Sequence, residues 1–481
     1  MRLRPILYIL GAINLCIALA MVAPLVVSLL YHDGTAHAFL KAIIASGLVG
    51  AVLFLLFRGR KVDVGHREGF LIVTLAWLDI CLFGSLPYIF SGVFSTFVDA
   101  YFESVSGFTT TGASVLTHIA DLPHGILFWR SMTQWLGGMG IILLSLAILP
   151  LLGIGGMQLY KAEASVVTSD KFLPRIAAMA KILWFVYLIM SVFLLIALML
   201  SGMNLFDSFI HTFSTIATGG FSNQNTSIQY YNNPLIEGII MIFMVLGGAN
   251  FALHYRFYRE RFKVYTGNGE FRFYILALII GAIIIAFSLR SGLYGGLSTS
   301  IRDTLFQSIS IMTGTGYSST DFGNWPPLAQ SMLLLLMFFG GSAGSTTGAI
   351  KCIRILVLFK LGYRELVKLV HPHAVLPIKL GGRSIPNEVI NGVMGFTFIY
   401  LFLFTLTSLI LAGMNLDIVT AISASAATIN NVGPGLGAVG PASNYSAIPF
   451  AGKWVLIANM LMGRLEIYTL VVLFTPAFWR G

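Results

Sequence analysis

Short runs of threonine and glycine recur four times in this sequence, and the chemistry open to them is coordination by backbone oxygen. They are Thr109-Thr-Thr-Gly112, Ala217-Thr-Gly-Gly220, Thr313-Gly-Thr-Gly316 and Ala427-Thr-Ile-Asn-Asn-Val-Gly433. Glycine permits backbone angles that aim successive carbonyls to one side. A ring of such carbonyls can replace the hydration shell of a passing ion. Covalent chemistry has no comparable constellation. Cys16, Cys81 and Cys352 lie in apolar runs, without disulfide or metal spacing. Glu103, His211 and Gln307 follow Asp99, Asp207 and Asp303 at one common interval. They read as groups that tune the surroundings of a pore helix, and the chain reads as no enzyme.

The elements that must position these runs follow from length. Each run is preceded by an Asp (Asp99, Asp207, Asp303 or Asp417) and by apolar, Ser and Thr residues. Ten helical residues span about 15 Å, half of a hydrocarbon core about 30 Å thick. Asp is a good N-cap, so each Asp is expected to start a half-helix at the outer side. The C-terminal ends then point inward, where their partial negative charge favours a cation. Irregular backbone at that depth survives only when buried or lining a water-filled cavity.

The composition demands a membrane. Of 481 residues, 57% are hydrophobic and 10% charged, with a mean hydropathy of +0.86; soluble domains carry about 25% charge. The net charge of +10 reads as basic cytoplasmic loops rather than as a nucleic-acid surface. The run Ile6 to Leu30 is too long for the core of a cleaved signal peptide, and Ala38 to Phe57 follows it. Both read as membrane helices. A module then recurs four times: an apolar helix, the Asp-led segment, a second apolar helix. The first helices are expected near Phe70–Phe90, Ile182–Leu200, Phe273–Leu289 and Val389–Leu411. The second are expected near Leu127–Leu152, Leu235–Tyr255, Ser331–Phe359 and Lys453–Ala477, for about ten spanning helices.

The expected fold is thus an all-α polytopic membrane protein with four pseudo-fourfold helix–pore helix–helix repeats around a central ion pore. Two extra transmembrane helices precede them. The divisions are 1–62, 63–163, 164–264, 265–365 and 366–481. Most of the 29 basic residues fall in Arg58–Arg67, Lys161–Lys181, Arg256–Arg272, Lys351–Arg383 and the two termini. That bias puts those regions and both termini in the cytoplasm, provided each Asp-led segment enters and leaves on the outer side.

The second helix of the third module is interrupted by Gly340-Gly341-Ser342-Ala343-Gly344-Ser345-Thr346-Thr347-Gly348. Each Gly costs about 1 kcal/mol against Ala in a helix. A broken helix whose loop lies under the filter is expected; the competing reading is a kinked, continuous helix packed through small residues. Arg464 stands mid-helix in an apolar run, where it costs about 2.5–3.5 kcal/mol on insertion scales. It should face the pore or a partner, and the carbonyls of the glycine loop are plausible acceptors for its donors. A structural partner elsewhere is the alternative.

These residues resemble the Trk/Ktr/HKT potassium transporters, and within them the bacterial Trk membrane subunits, over essentially the full chain. The marks are Thr109–Gly112, Gln134-Trp-Leu-Gly-Gly-Met-Gly140, Ile216-Ala-Thr-Gly-Gly-Phe-Ser222, Gly340–Thr346, Asn430-Asn-Val-Gly-Pro-Gly435 and Gly463-Arg-Leu-Glu-Ile467. The resemblance implies K+ uptake across the bacterial inner membrane, with K+ as substrate ion and no covalently bound cofactor. It implies a filter of Thr110, Thr111, Gly112, Thr218, Gly219, Gly220, Gly314, Thr315 and Gly316, completed by Ile429, Asn430 and Asn431 of the fourth loop. It implies that the loop 340–348, with Arg464, is a gate. Related plant transporters with Ser at the Gly112 place resemble sodium carriers, so Gly112 favours potassium. The resemblance also implies a homodimer seated on a cytosolic ring of nucleotide-binding subunits. This chain has no dinucleotide or Walker motif of its own.

Two departures stand out. No loop reads Thr-Val-Gly-Tyr-Gly, so weaker selectivity is expected, with Rb+ also passing. The fourth loop has Asn where the others have Gly: counting from Asp417 gives Asn430, and counting from Gly413-Met-Asn-Leu416 gives Asn431. The rival function is an alternating-access transporter coupled to H+ or Na+. Such folds often carry inverted repeats, whereas these four modules run in one direction.

Overall fold

The computed structural model describes residues 3–58, 65–147, 172–290, 297–381 and 383–480. Part of the basic stretch after Arg58, the end of the helix expected to Leu152 and the basic residues near Lys161 lie outside them. Helices α1 (Leu3–Ala20) and α2 (Val22–Tyr31) form one span, and α3 (Ala36–Leu56) returns beside it. Helices α1 and α3 pack through Gly11 and Gly50. A Cβ on Gly11 would lie 2.5 Å from Phe54 N, and one on Gly50 2.9 Å from Leu15 N. Small residues let apolar helices approach this closely where lipid offers no hydrophobic drive.

The four modules follow in order. The first is α4 (His66–Ser91), α5 (Phe97–Phe108) and α6 (His124–Ala147). The second is α7 (Phe172–Leu200), α8 (Leu205–Ile216), α9 (Pro234–Gly247) and α10 (Phe251–Glu260). The third is α11 (Gly269–Leu289), α12 (Leu297–Met312), α13 (Pro327–Met337) and α14 (Cys352–Val370). The fourth is α15 (Asn387–Gly413), α16 (Ile418–Ile429) and α17 (Phe450–Arg464). A two-residue ladder, Lys379–Leu380 with Arg383–Ser384, is the one pair of strands among the described residues. Lipid-facing side chains such as Leu48, Phe193, Phe287 and Phe398 are exposed along the outer helices. The half-helices α5, α8, α12 and α16 bury their C-terminal turns in the interior.

Six helical spans among the described residues are long and apolar enough to cross a membrane. The expected second helices differ from simple rods. Helices α9 and α10 meet at 100°, and α17 meets the following turn, Tyr468–Phe474, at 111°. The first bend has a sequence cause: α9 runs out at Gly247-Gly248, and Asn250 caps α10 by accepting from Ala252 N at 2.8 Å. The second bend is carried by Glu466 and Ile467, both at positive φ.

The Asp residues are not four N-caps. Thr96 caps α5 and Asn204 caps α8, each accepting from the backbone N–H of the Asp three residues on, at 3.2 and 2.7 Å. Asp303 lies inside α12, which has already begun at Leu297. Only Asp417 is itself a cap, accepting from Thr420 N at 3.0 Å. The other three tie their half-helix to what lies beside it. Asp99 accepts from Lys453 Nζ at 2.6 Å, and Asp207 accepts from Asn223 Nδ2 at 2.6 Å and Tyr231 Oη at 2.8 Å. Asp303 accepts from Ser319 Oγ at 3.4 Å.

Candidate functional site

Each half-helix ends in the same backbone turn. The N–H groups of Thr111, Gly219, Thr315 and Val432 donate to the carbonyls five residues back, Ser106, Ser214, Ser310 and Ala427, at 2.9, 2.8, 2.9 and 2.9 Å. The residue before each has positive φ: Thr110 at 52°, Thr218 at 53°, Gly314 at 70° and Asn431 at 54°. The residue after each is a glycine with positive φ: Gly112, Gly220, Gly316 and Gly433. A left-handed backbone costs a non-glycine residue about 1–2 kcal/mol, and here the buried half-helix ends enforce it three times.

The turns close on one another. A Cβ on Gly112 would lie 2.2 Å from Gly219 O; on Gly220, 1.8 Å from Thr315 O; on Gly316, 1.9 Å from Val432 O; and on Gly433, 2.7 Å from Thr111 O. Each ring glycine therefore faces the carbonyl of the next turn, and the fourth returns to the first. The four segments meet around one axis within one chain.

This geometry corrects the register of the fourth loop. Gly433, not Asn430 or Asn431, stands where Gly112 stands in the first. Ile429 is the last residue of α16, Asn430 is its C-cap, and Asn431 matches Thr110. Counting from the Asp misleads because Asp417 is the cap, whereas Asp99 and Asp207 lie three residues inside. Counted from the caps Thr96, Asn204 and Asp417, the three glycines fall in step.

Polar side chains bolt each turn from behind. Glu103 accepts from Ser114 Oγ at 2.9 Å, Val115 N at 3.1 Å and Arg130 Nε at 2.9 Å. Arg130 also donates to Ser222 O at 3.2 Å, in the limb that follows the second turn, and stacks 4.2 Å from the centre of the Phe221 ring. His211 Nδ1 lies 2.8 Å from Asp207 O, which places the proton there, and Nε2 then accepts from Ser222 Oγ at 3.1 Å. Gln307 Nε2 reaches Ser319 Oγ at 3.4 Å. In the fourth module this task falls to Ser423, which donates to Leu436 O and accepts from Leu436 N, both at 2.9 Å. Tyr445 Oη donates to Gly433 O at 2.7 Å.

The glycine-rich segment is a true break, not a kink: α13 stops at Met337 and α14 starts at Cys352. Gly340 N donates to Ile350 O at 2.9 Å, closing the loop at its base. Ser342 N and Thr346 N donate to Gly248 O and Gly247 O at 2.8 and 3.3 Å. The bend between α9 and α10 thus frees carbonyls that bind the loop. Gly341 N donates to Thr347 Oγ1 at 3.0 Å, Ala343 N to Glu270 Oε1 at 2.7 Å, and Ser345 Oγ to Ser342 O at 2.6 Å; Gly344 O accepts from Phe251 N at 3.1 Å. Thr346 Oγ1 donates to Ile216 O at 3.1 Å, at the end of α8. Gly348 lies against the fourth turn: a Cβ there would be 2.2 Å from Asn430 O. Arg464, buried, donates from Nη1 to Thr346 O at 2.7 Å and from Nη2 to Gly137 O at 3.2 Å.

Other residues hold this loop and its surroundings through contacts that the sequence did not indicate. Glu270, from the first turn of α11, accepts from Ala343 N and from Ile353 N at 3.2 Å. Glu466 pairs with Arg354, whose guanidinium sits 4.0 Å from the centre of the Phe396 ring. Lys351 Nζ donates to Thr347 O. Glu466 follows Arg464 by two residues, and the break after Arg464 turns it to Arg354.

Comparison with known proteins places this geometry. Residues 35–480 match the TrkH family, described as "Cation transport protein". The chain is 44% identical to the Trk system potassium uptake protein TrkH of Escherichia coli (strain K12), over 100% of both chains. It is 35% identical to TrkG of the same organism, over 100% of this chain and 99% of the relative. The crystal structure of the potassium transporter TrkH from Vibrio parahaemolyticus superposes with a TM-score of 0.93 at 40% identity, covering 100% of both chains. The chain is therefore a member of the TrkH family of cation transport proteins.

Proposed function

We propose that this chain takes up K+ across a bacterial inner membrane through the ring formed by its four turns. The closed cycle Gly112–Gly219, Gly220–Thr315, Gly316–Val432, Gly433–Thr111 carries the reading. Carbonyls held this closely by glycines can substitute for water around a dehydrated cation. The named activity of the full-length relatives, potassium uptake, supports K+ as the ion. Rb+, of similar size and equal charge, passes as well.

Below the ring, the loop 340–348 closes the path and Arg464 holds it there. The guanidinium also adds a fixed positive charge under the filter. The four repeats occupy 63–163, 164–264, 265–365 and 366–481, after two helices in 1–62. Both termini lie in the cytoplasm, where the basic segments collect. A homodimer on a cytosolic nucleotide-binding ring is the assembly this surface serves. Rb+ flux into proteoliposomes, with and without a proton gradient, tests the proposal. K+ should compete and Na+ should not; equal competition by Na+ overturns it. Flux that needs the proton gradient would replace channel-like passage by coupled transport.

A further inference from the structure

The second turn lacks a side chain that its three counterparts have. Thr111, Thr315 and Val432 occupy equivalent places and are fully buried; the fourth member of the set is Gly219. Its φ is not positive, so the backbone does not require glycine there. Space does. A Cβ on Gly219 would lie 2.5 Å from Gln134 Cδ, 2.7 Å from Oε1 and 2.8 Å from Nε2. Gln134 comes from α6, in the first repeat, and is fully buried. Its Nε2 donates to Gly219 O at 2.6 Å, and its Oε1 accepts from Phe221 N at 3.0 Å. Only this orientation of the amide gives both bonds a donor and an acceptor. The amide therefore brackets Gly220, the ring glycine of the second turn.

We infer that Gln134 is a specificity-determining positioning residue, supplying from a neighbouring repeat the side chain that the second filter turn lacks. The inference rests on reading the four turns as the filter. In the first and third turns the hydroxyl of the equivalent residue meets a threonine of its own turn, Thr111 Oγ1 at 2.7 Å from Thr109 Oγ1 and Thr315 Oγ1 at 2.8 Å from Thr313 Oγ1, and in the fourth the Val432 side chain fills the place. The second turn is braced across the repeat boundary instead. Its carbonyl at Gly219 shares its electron density with an amide N–H, so the ring is chemically unequal at this quadrant. Removing the amide leaves the Gly219 carbonyl and the Phe221 N–H without these partners and the turn free to relax. Such relaxation lets the ring adapt to a smaller ion.

The test is a cycle of variants read by ion competition rather than by flux. Gln134→Leu keeps the bulk and removes both hydrogen bonds; K+ preference over Na+ in competition against Rb+ should fall by roughly tenfold, the equivalent of one to two lost hydrogen bonds. Gly219→Ala, which leaves Gln134 intact but pushes its amide aside, should shift the ratio the same way. Combining Gln134→Ala with Gly219→Ala removes the collision and should recover part of the preference. A residue that only supports folding would lower the amount of protein in the membrane and leave the ratio untouched. An unchanged ratio in both single variants overturns the inference. If Gln134→Leu fails to insert, Gly219→Ala decides alone. If the unsubstituted protein already fails to prefer K+, the filter reading itself is overturned, which is a separate result.

Discussion

Arg464 Nη1 donates to the carbonyl oxygen of Thr346 across 2.7 Å, so a side chain of the fourth repeat holds the middle of the loop that interrupts the third. The same guanidinium reaches Gly137 O in the first repeat at 3.2 Å. Hydrogen bonds from a charged group contribute about 1.5–3 kcal/mol each. Arg464→Ala is expected to raise Rb+ flux into liposomes roughly tenfold, about the shift that losing one such bond allows. Arg464→Lys should fall between, because an ammonium cannot span both carbonyls as the planar guanidinium does. Unchanged flux at equal protein abundance would rule out the latch.

Glu270 holds the same loop from the other side. Its Oε1 accepts from Ala343 N within the loop and from Ile353 N just beyond it. Glu270→Ala leaves two backbone amides without that acceptor and should raise basal flux. Glu270→Gln keeps an oxygen acceptor and should change it less. Hydrogen exchange over 340–353 measures the loosening directly: no faster exchange in the Ala variant would place the restraint elsewhere.

The ring glycines should respond in an order that the packing sets. Added Cβ atoms collide most deeply at Gly220 and Gly316 and least at Gly433. Alanine at Gly220 or Gly316 should therefore abolish K+ preference, and Gly433→Ala should leave a part of it. All three also take a left-handed backbone that disfavours Ala by about 1 kcal/mol or more. Competition assays that rank Gly433→Ala as the most damaging would contradict the observed ring.

Glu103 and Arg130 form a fully buried ion pair, 2.8 Å apart, behind the first and second turns. Breaking a buried pair by removing one partner costs about 3–5 kcal/mol. Glu103→Ala should lower the thermal midpoint in detergent by several degrees, and pairing it with Arg130→Ala should cost less than the sum of the two. Strict additivity in that double-mutant cycle would show that the two side chains act independently.

Asp417 gives a dependence on pH at the N-terminal end of the fourth half-helix. Hydrogen bonds from the Thr420 side chain and backbone N–H hold its carboxyl below the ordinary carboxylate range. A carboxylate with a depressed folded-state pKa stabilises above its unfolded value, near 4, and loses that contribution as pH falls through the folded value. Acid should thus weaken the start of α16 in the native protein but not in Asp417→Asn, whose neutral cap does not titrate. Both remaining equally acid-sensitive below pH 4 would remove Asp417 from the account.

Much of this was legible in sequence. The four Thr/Gly turns, the half-helices before them and the interruption at 340–348 follow from composition and length alone. Arg464 announces itself because a mid-span guanidinium must find acceptors. The register of the fourth turn was not legible, because one residue type does two jobs: Asp417 caps its helix, while Asp99 and Asp207 sit inside theirs. The bend at Gly247-Gly248 was hidden because paired glycines in an apolar run read equally as a packing surface. Gln134 lay in plain view in a motif, but its target, Gly219, is distant in sequence and bears no side chain to suggest a partner.

The braces behind the four turns are chemically different: a buried ion pair at Glu103, an imidazole at His211, an amide at Gln307 and a hydroxyl at Ser423. In a pore assembled from identical subunits, one codon change strikes every quadrant at once. Here a single substitution alters one quadrant, or two where a brace is shared as at Arg130, and leaves the rest as they were. Ion preference in such a protein can drift by quarter steps, and each step can be inherited before the next is needed.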